Sequence, residues 1–235
     1  MAIIHWIDLA WCLIPVVLVS GIYFHWQGKS GEVLYASARM AIQLVAVGYV
    51  LVSVFNNPSP WLSLAIVVLM LVVASWISIR PVRHQKEYLL PAMMALGISV
   101  GFHLLISLTL VLNTERWYRP ELLIPLAGMY FANTMNAISL AAERYHAELS
   151  AGKNPQQARL DGFQAAMIPQ INGLLAVGLV ALPGMMTGQI LSGVSPLIAV
   201  RYQIMIMTMI LGTSGLGAAL MLSILEKRAA KIPML

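Results

Sequence analysis

Stretches of about 20 mostly apolar residues, the length that crosses a bilayer as a helix, recur along this chain and leave little room for anything else. They read as seven spans, roughly 7–25, 33–55, 61–80, 89–112, 121–142, 167–192 and 197–224. In hydrocarbon every backbone amide and carbonyl must find its partner inside the protein, so spans of this length have to be helical. The predicted fold is all-α, a polytopic membrane helical bundle of about seven transmembrane helices, with 1–235 as a single transmembrane domain. Charged residues make up only 10% of the chain, against about 25% in soluble domains, which excludes a sizeable soluble domain. The first span lacks the basic flank of a signal peptide, since MAIIHWID carries no Lys or Arg.

Basic residues set the expected orientation, because cytoplasmic loops collect Lys and Arg. Ten of the 14 basic residues fall on one side: Lys29, Arg80, Arg83, Lys86, Arg144, Lys153, Arg159, Lys227, Arg228 and Lys231. The opposite side has Arg116 and Arg119. The N-terminus is therefore expected outside and the C-terminus in the cytoplasm, with the chain a multi-pass protein of the cell inner (plasma) membrane. The net charge of +5 follows from this bias and does not indicate nucleic acid. The single cysteine, Cys12, reads as a small apolar filler.

The helical pattern of the fifth span continues past Glu143, and a polar segment follows, so 143–166 is the expected cytoplasmic segment. Gly152 is a C-cap candidate. Asn154 and Pro155 form a helix start, with Asn as N-cap and Pro in the first helical position. A short mixed helix over about 155–166 then carries Arg159, Asp161 and Phe163. Such a helix either lies on the membrane surface or docks into a groove on a cytoplasmic partner, and its low net charge favours docking. Pro169 is expected to mark entry to the sixth span.

Several chemistries are excluded. Gly28-Lys29-Ser30 resembles the end of a phosphate loop, but Tyr23 stands where that loop needs glycine, so the chain has no nucleotide-hydrolysing motif. The five histidines are scattered and no HxxxH or CxxC spacing occurs. No acidic residue sits deep in a span, which argues against a proton relay or a carboxylate-lined ion site.

Polar residues inside spans are costly and gather in bundle interiors and pathways. Arg39 and Gln43 lie one helical turn apart in the second span, Asn133 and Asn136 in the fifth, and Asn172 in the sixth. Counting residues puts all five roughly 8–14 Å from the inner boundary. This layer reads either as interhelical glue or as the lining of a pathway. The sixth span contains a second anomaly, Pro183-Gly184. Proline removes a backbone donor and kinks a helix, and unwound backbone is tolerated at membrane depth only against protein or water. Pro183, Gly184, Met185, Met186, Thr187 and Gln189 are thus expected to line a cavity or gate, with Thr187 and Gln189 satisfying freed backbone groups. The 15 methionines read as bundle packing or as soft-ion ligands. Neither reading assigns metal ligands.

The segments RMAIQL around Arg39 and Gln43, PLAGMYFANTMNAISL from Pro125, and VGLVALPGMMTGQILSGVSPLIAVRYQI from Val177 resemble the Fet-type ABC permease family. Its members include bacterial iron-export permeases and plant aluminium-sensitivity permeases, and the likeness spans about 33–225. The resemblance implies a permease subunit of an ATP-driven exporter that works with a separate cytoplasmic ABC ATPase, as two permeases with two ATPases. ATP and Mg would then act in the partner, with no cofactor in this chain and no nucleic-acid partner; lipids surround it. The helix bearing Asn154, Pro155, Arg159, Asp161 and Phe163 would be the coupling element. The family's cargoes leave two possibilities, a metal ion such as iron or a nucleotide sugar, and a partner-independent secondary transporter or channel is the alternative mechanism.

Overall fold

The computed structural model describes His5 and residues 7–26, 28–82 and 86–229; Arg83, His84 and Lys231 lie outside the described residues. The named elements are all helical. They divide into two compact units, Met1–Asn57 and Pro58–Leu235.

The first unit is a helical hairpin. A 3-10 turn, Asp8–Cys12, leads into α1 (Leu13–His25), and α2 (Ser30–Asn56) follows. Cys12 is exposed.

The second unit is a bundle of α3 (Pro60–Ser78), α4 (Leu89–Leu105), α5 (Pro120–Ser150), α6 (Pro155–Ala176), α7 (Gly184–Leu191) and α8 (Pro196–Ala229). Proline opens α3, α5, α6 and α8, a position where its missing N–H costs nothing. α4 continues as a π-helix over Ile106–Val111. α5 ends as the sequence predicts: Gly152 adopts φ +85°, and the Gly152 and Lys153 amides donate back to the Leu149 and Glu148 carbonyls, a glycine-terminated helix end.

Small residues set the packing. Ala158, Gly162 and Ala166 are buried at four-residue intervals along α6, and Gly162 faces the fully buried Ala141 and Tyr145 of α5. Without a hydrophobic force between helices in lipid, close backbone approach of this kind drives association. The fit is tight, since a Cβ on Gly162 would meet the Ala141 carbonyl oxygen at 2.9 Å. α8 uses the same device twice. A Cβ on Gly212 would strike the His103 ring, and one on Gly217 would strike the Thr134 methyl at 2.5 Å.

Polar groups knit the interior. Ser99 Oγ donates to the Thr213 carbonyl at 2.5 Å, joining α4 to α8. Ser107 Oγ lies 2.8 Å from the Tyr130 hydroxyl, joining the π-helix to α5. The His103 Nδ1–H donates to the Ser99 carbonyl at 2.8 Å, because a carbonyl can only accept.

Two sequence expectations change. First, the 155–166 helix is not a separate element, and Pro169 does not begin a new one: α6 runs unbroken from Pro155 to Ala176 with Pro169 inside it. Proline leaves one carbonyl of the preceding turn without its helical partner; packing against α5 and α8 holds the helix through that loss. Second, the expected sixth span, 167–192, is not one helix. It stops at Ala176 and resumes at Gly184. Five helices among the described residues are long and apolar enough to cross a membrane. α5 is continuous over its expected span but is not among them, since Asn133, Thr134, Asn136 and Ser139 dilute its apolar character.

Gly162→Ala should lower the thermal unfolding midpoint of the detergent-solubilised protein, at a cost of about 1–3 kcal/mol for overpacking against backbone. Gly184→Ala, whose added methyl has nothing within 4 Å, should leave that midpoint unchanged in the same melt.

Candidate functional site

Helices α5, α6 and α8 enclose a small cavity of about 170 Å3. Asn133 and Asn136 line it from α5, Gln170 and Gly173 from α6, and Met207 from α8. Asn133 Nδ2 donates one of its two hydrogens to the Met129 carbonyl at 2.8 Å, which leaves its other N–H and its side-chain oxygen without a partner in the fold. The lining carries no charge. Three neutral amides supply both donors and acceptors, so the site can exchange hydrogen bonds with a hydrated or polar cargo without a fixed counter-charge.

Two of the predicted polar residues therefore come together, and a third was missed. Asn172 is exposed and lies outside this cavity; Gln170 takes its place. The helical period explains the exchange. Ala158, Gly162 and Ala166 mark the buried stripe of α6, and steps of three or four residues continue it to Pro169, Gln170 and Gly173. Asn172 falls about 200° around the helix from Gln170. Arg39, half-buried, and Gln43, exposed, belong to α2 of the hairpin unit.

The interrupted segment lies one turn beyond. Val177–Pro183 is non-helical, and the residues after it are not: Gly184–Leu191 form the regular helix α7, with Pro183 as its N-cap. The unwound backbone is stitched locally. The Ala176 carbonyl accepts from the Val180 amide at 2.8 Å, and the Gly178 amide donates to the Ala181 carbonyl at 2.9 Å. Gly178 makes this turn possible with φ +85°, a conformation that disfavours a Cβ. Thr187 Oγ1 donates to the Pro183 carbonyl at 3.1 Å, as its position predicts. Gln189 Oε1, by contrast, is buried and unpartnered. Pro183 and Met186 line a cavity of about 300 Å3 between this segment and α8; Met185 packs on the core instead.

The candidate coupling residues are tied into their own chain. Asn154 caps α6 by accepting from the Gln157 amide at 2.8 Å, and Pro155 opens the helix. Arg159 pairs with Glu226 of α8 at 2.6 Å. Lys153 bridges Glu148 at 2.7 Å and Asp161 at 2.8 Å, while Arg144 holds the other oxygen of the nearly buried Glu148 at 2.5 Å. Phe163 packs against the core. What α6 leaves exposed here is Gln156, Gln157, Arg159, Leu160 and Gln164, with Leu160 56% exposed. Beside the Arg159–Glu226 pair, burial pushes the Tyr145 hydroxyl up to about 12, with Tyr88 and Glu226 adding to the rise and Arg159 opposing it.

Two outcomes follow. The hydrogen bond to Asp161, then the one to Glu148, raises the Lys153 ammonium above its ordinary 10.5. A cation raised on folding stabilises below its unfolded value and loses that effect as pH climbs through the raised one. Stability should thus hold through neutral pH and drop above about 10.5, and Lys153→Gln should flatten that alkaline drop in melts recorded against pH. Gly178→Val should cost about 1–2 kcal/mol of stability through left-handed strain, read as a lowered unfolding midpoint.

Comparisons with known proteins agree with this architecture. The profile of the Uncharacterised protein family (UPF0014) matches residues 6–229. The UPF0014 membrane protein slr1647 of Synechocystis is 36% identical over 232 residues, covering 91% of this chain and 89% of that protein. The probable iron export permease protein FetB of Escherichia coli is 32% identical, covering 79% of this chain and 76% of that protein. Protein ALUMINUM SENSITIVE 3 of Arabidopsis thaliana is 32% identical, covering 85% of this chain and 78% of that protein. No solved structure matches. A bundle of apolar helices, a neutral amide cavity and a profile match over nearly the whole length converge: this chain is a membrane protein of the UPF0014 family.

Proposed function

We propose that this chain is the membrane permease subunit of an ATP-driven exporter of iron or another metal ion, working with a separate cytoplasmic ABC ATPase as two permeases with two ATPases. Relatives named as an iron export permease and an aluminium-sensitivity protein support a metal cargo. The basic bias of Arg144, Lys153, Arg159, Lys227 and Arg228 supports a cytoplasmic α5–α6 end in the cell inner membrane. ATP and Mg act in the partner, since this chain has no phosphate loop.

One observation carries the reading. α6 is a single helix from the Asn154 cap to beyond Gln170, about 33 Å from end to end. A push on its exposed Gln157, Leu160 and Gln164 face is delivered as rigid-body motion to Gln170, against Asn133 and Asn136 on α5. The partner ATPase grips that face, and the Lys153 and Arg159 ion pairs keep the loop and α8 moving with it. The break at Val177–Pro183, with Pro183 and Gly184 at its end, serves as the outer gate, where helix-breaking backbone yields first. A cavity of about 170 Å3 holds an ion with a few waters, at roughly 30 Å3 each, and not a nucleotide sugar. The amide oxygens are hard ligands, suited to a hard cation that keeps part of its hydration shell.

The test is co-reconstitution with the ATPase in proteoliposomes. Fe2+ should stimulate ATP turnover, and Gln170→Leu should cut that stimulation at least about tenfold, the scale of a lost hydrogen bond to a charged group, with the complex still assembled. Leu160→Glu should break assembly. Uphill export by the permease alone would overturn the proposal.

A further inference from the structure

The turn between the π-helix and α5 carries charge that the fold itself does not use. A depression of about 680 Å3 opens there, with Glu115, Arg116, Arg119 and Glu121 in its charged part and Leu112 and Leu122 in its apolar part. The backbone beneath these side chains is fixed. Thr114 returns its amide at 3.0 Å and its hydroxyl at 3.1 Å to the Leu108 carbonyl. Ser63 Oγ of α3 donates to the Tyr118 carbonyl at 2.8 Å, and the Arg119 amide donates to the Arg116 carbonyl at 3.2 Å. The charged ends are left open. Among the described residues, the side chains of Glu115 and Arg116 have no hydrogen-bond or ion-pair partner. Arg119 approaches Glu121 only to 3.9 Å, with the two side chains 63% and 43% exposed, and an exposed pair of this kind is weak.

Exposed charge alone needs no guest; the place of this turn supplies one. α5 is continuous for 31 residues, about 46 Å, against about 30 Å of hydrocarbon. Its ends reach the headgroup layers, and the turn stands at its first residue. Trp117 is half-exposed and edge-on to Tyr118 at 5.8 Å, and the exposed Trp61 opens α3; such rings collect at that level. The lining then selects among headgroups. Two guanidiniums suit a phosphate, and two carboxylates accept the hydrogens of a primary ammonium. An anionic headgroup without an ammonium meets repulsion from Glu115 and Glu121. A quaternary ammonium has no N–H to give them, and Tyr118, the one aromatic residue of the lining, makes no aromatic cage.

We propose that this turn binds a zwitterionic phospholipid headgroup of the phosphoethanolamine type. Its phosphate lies on Arg116 and Arg119, its ammonium on Glu115 and Glu121, and its glycerol and upper acyl chain against Leu112 and Leu122. A lipid held there ties the end of the π-helix to the first turn of α5. This inference stands apart from the exporter reading, as it needs neither the ATPase nor the cargo.

Lipid competition tests it. The full chain is placed in nanodiscs carrying a trace of phosphatidylethanolamine with a photoactivatable group near its headgroup, and adducts are mapped by mass spectrometry. Adducts are expected within Leu112–Leu122. Unlabelled phosphatidylethanolamine should suppress them about fivefold better than phosphatidylcholine or phosphatidylglycerol at the same mole fraction, the ratio for one exposed ion pair at the upper end of its range. Changing Glu115→Lys and Glu121→Lys together should make phosphatidylglycerol the best competitor. Glu115→Lys alone, at a side chain with no partner in the fold, should erase the phosphatidylethanolamine advantage with the thermal midpoint unchanged, and it decides the matter if the double variant fails to fold. Equal competition by the three lipids in the unaltered chain, or an unchanged order in Glu115→Lys, would overturn the proposal. Free phosphoethanolamine competing as well as the lipid would assign the depression to a soluble zwitterion and overturn the lipid reading.

Discussion

A backbone carbonyl or amide left without a partner in hydrocarbon costs several kcal/mol, and each irregularity in the bundle is built to avoid that cost. At the far end of α4 the helix widens into a π-helix, and the Leu112 amide donates to the Ser107 carbonyl at 2.9 Å, with Thr114 returning both its amide and its hydroxyl to Leu108. At Val177–Pro183 the chain turns on itself and bonds to its own carbonyls. Inside α6, Pro169 is exposed and lines the cavity with Asn133, Asn136 and Gln170. The break at Val177–Pro183 is not covered by the bundle, since Leu179 and Val180 are 91% and 83% exposed; its backbone is satisfied within its own turn.

Helix ends and the long apolar helices were readable from residues alone. Proline at the first helical position, Asn154 as cap and Gly152 as terminator act through local geometry that no tertiary contact alters. The sixth span was misread for two physical reasons. Proline within a helix is tolerated in a bundle because neighbours absorb the loss, so Pro169 carried no boundary information. A break made of LVAL, between Gly178 and Pro183, leaves local hydropathy as high as that of a helix, so a hydropathy count passes over it. The signal present was the pair Gly178 and Pro183 bracketing a short apolar run.

The candidate site was legible in its residue types and only partly in its members. Asn133 and Asn136 meet at the cavity because they sit one residue short of a turn apart on a continuous helix. Choosing Asn172 over Gln170 followed residue type, while the stripe of Ala158, Gly162 and Ala166 already fixed which face of α6 turns inward. The coupling residues were legible only in part. Arg159 and Asp161 pair with Glu226 and Lys153, a pairing that the sequence does not display, while Arg159 stays on the exposed face beside Leu160.

Two cavities with opposite chemistry lie in succession along α6 and α8, sharing Leu174 and Met207 in their walls. Toward the α5–α6 end the lining is amide-rich and suits a hydrated guest; beyond Gly173 it becomes thioether and hydrocarbon. On the exporter reading proposed above, a charged cargo moving outward would meet rising desolvation at that boundary, because the second cavity holds no counter-charge. Passage then requires the boundary itself to open, by displacement of the unwound turn from α8. On that same reading the apolar cavity is the closed gate, and a molecule that fills it stabilises the closed form at the expense of the open one.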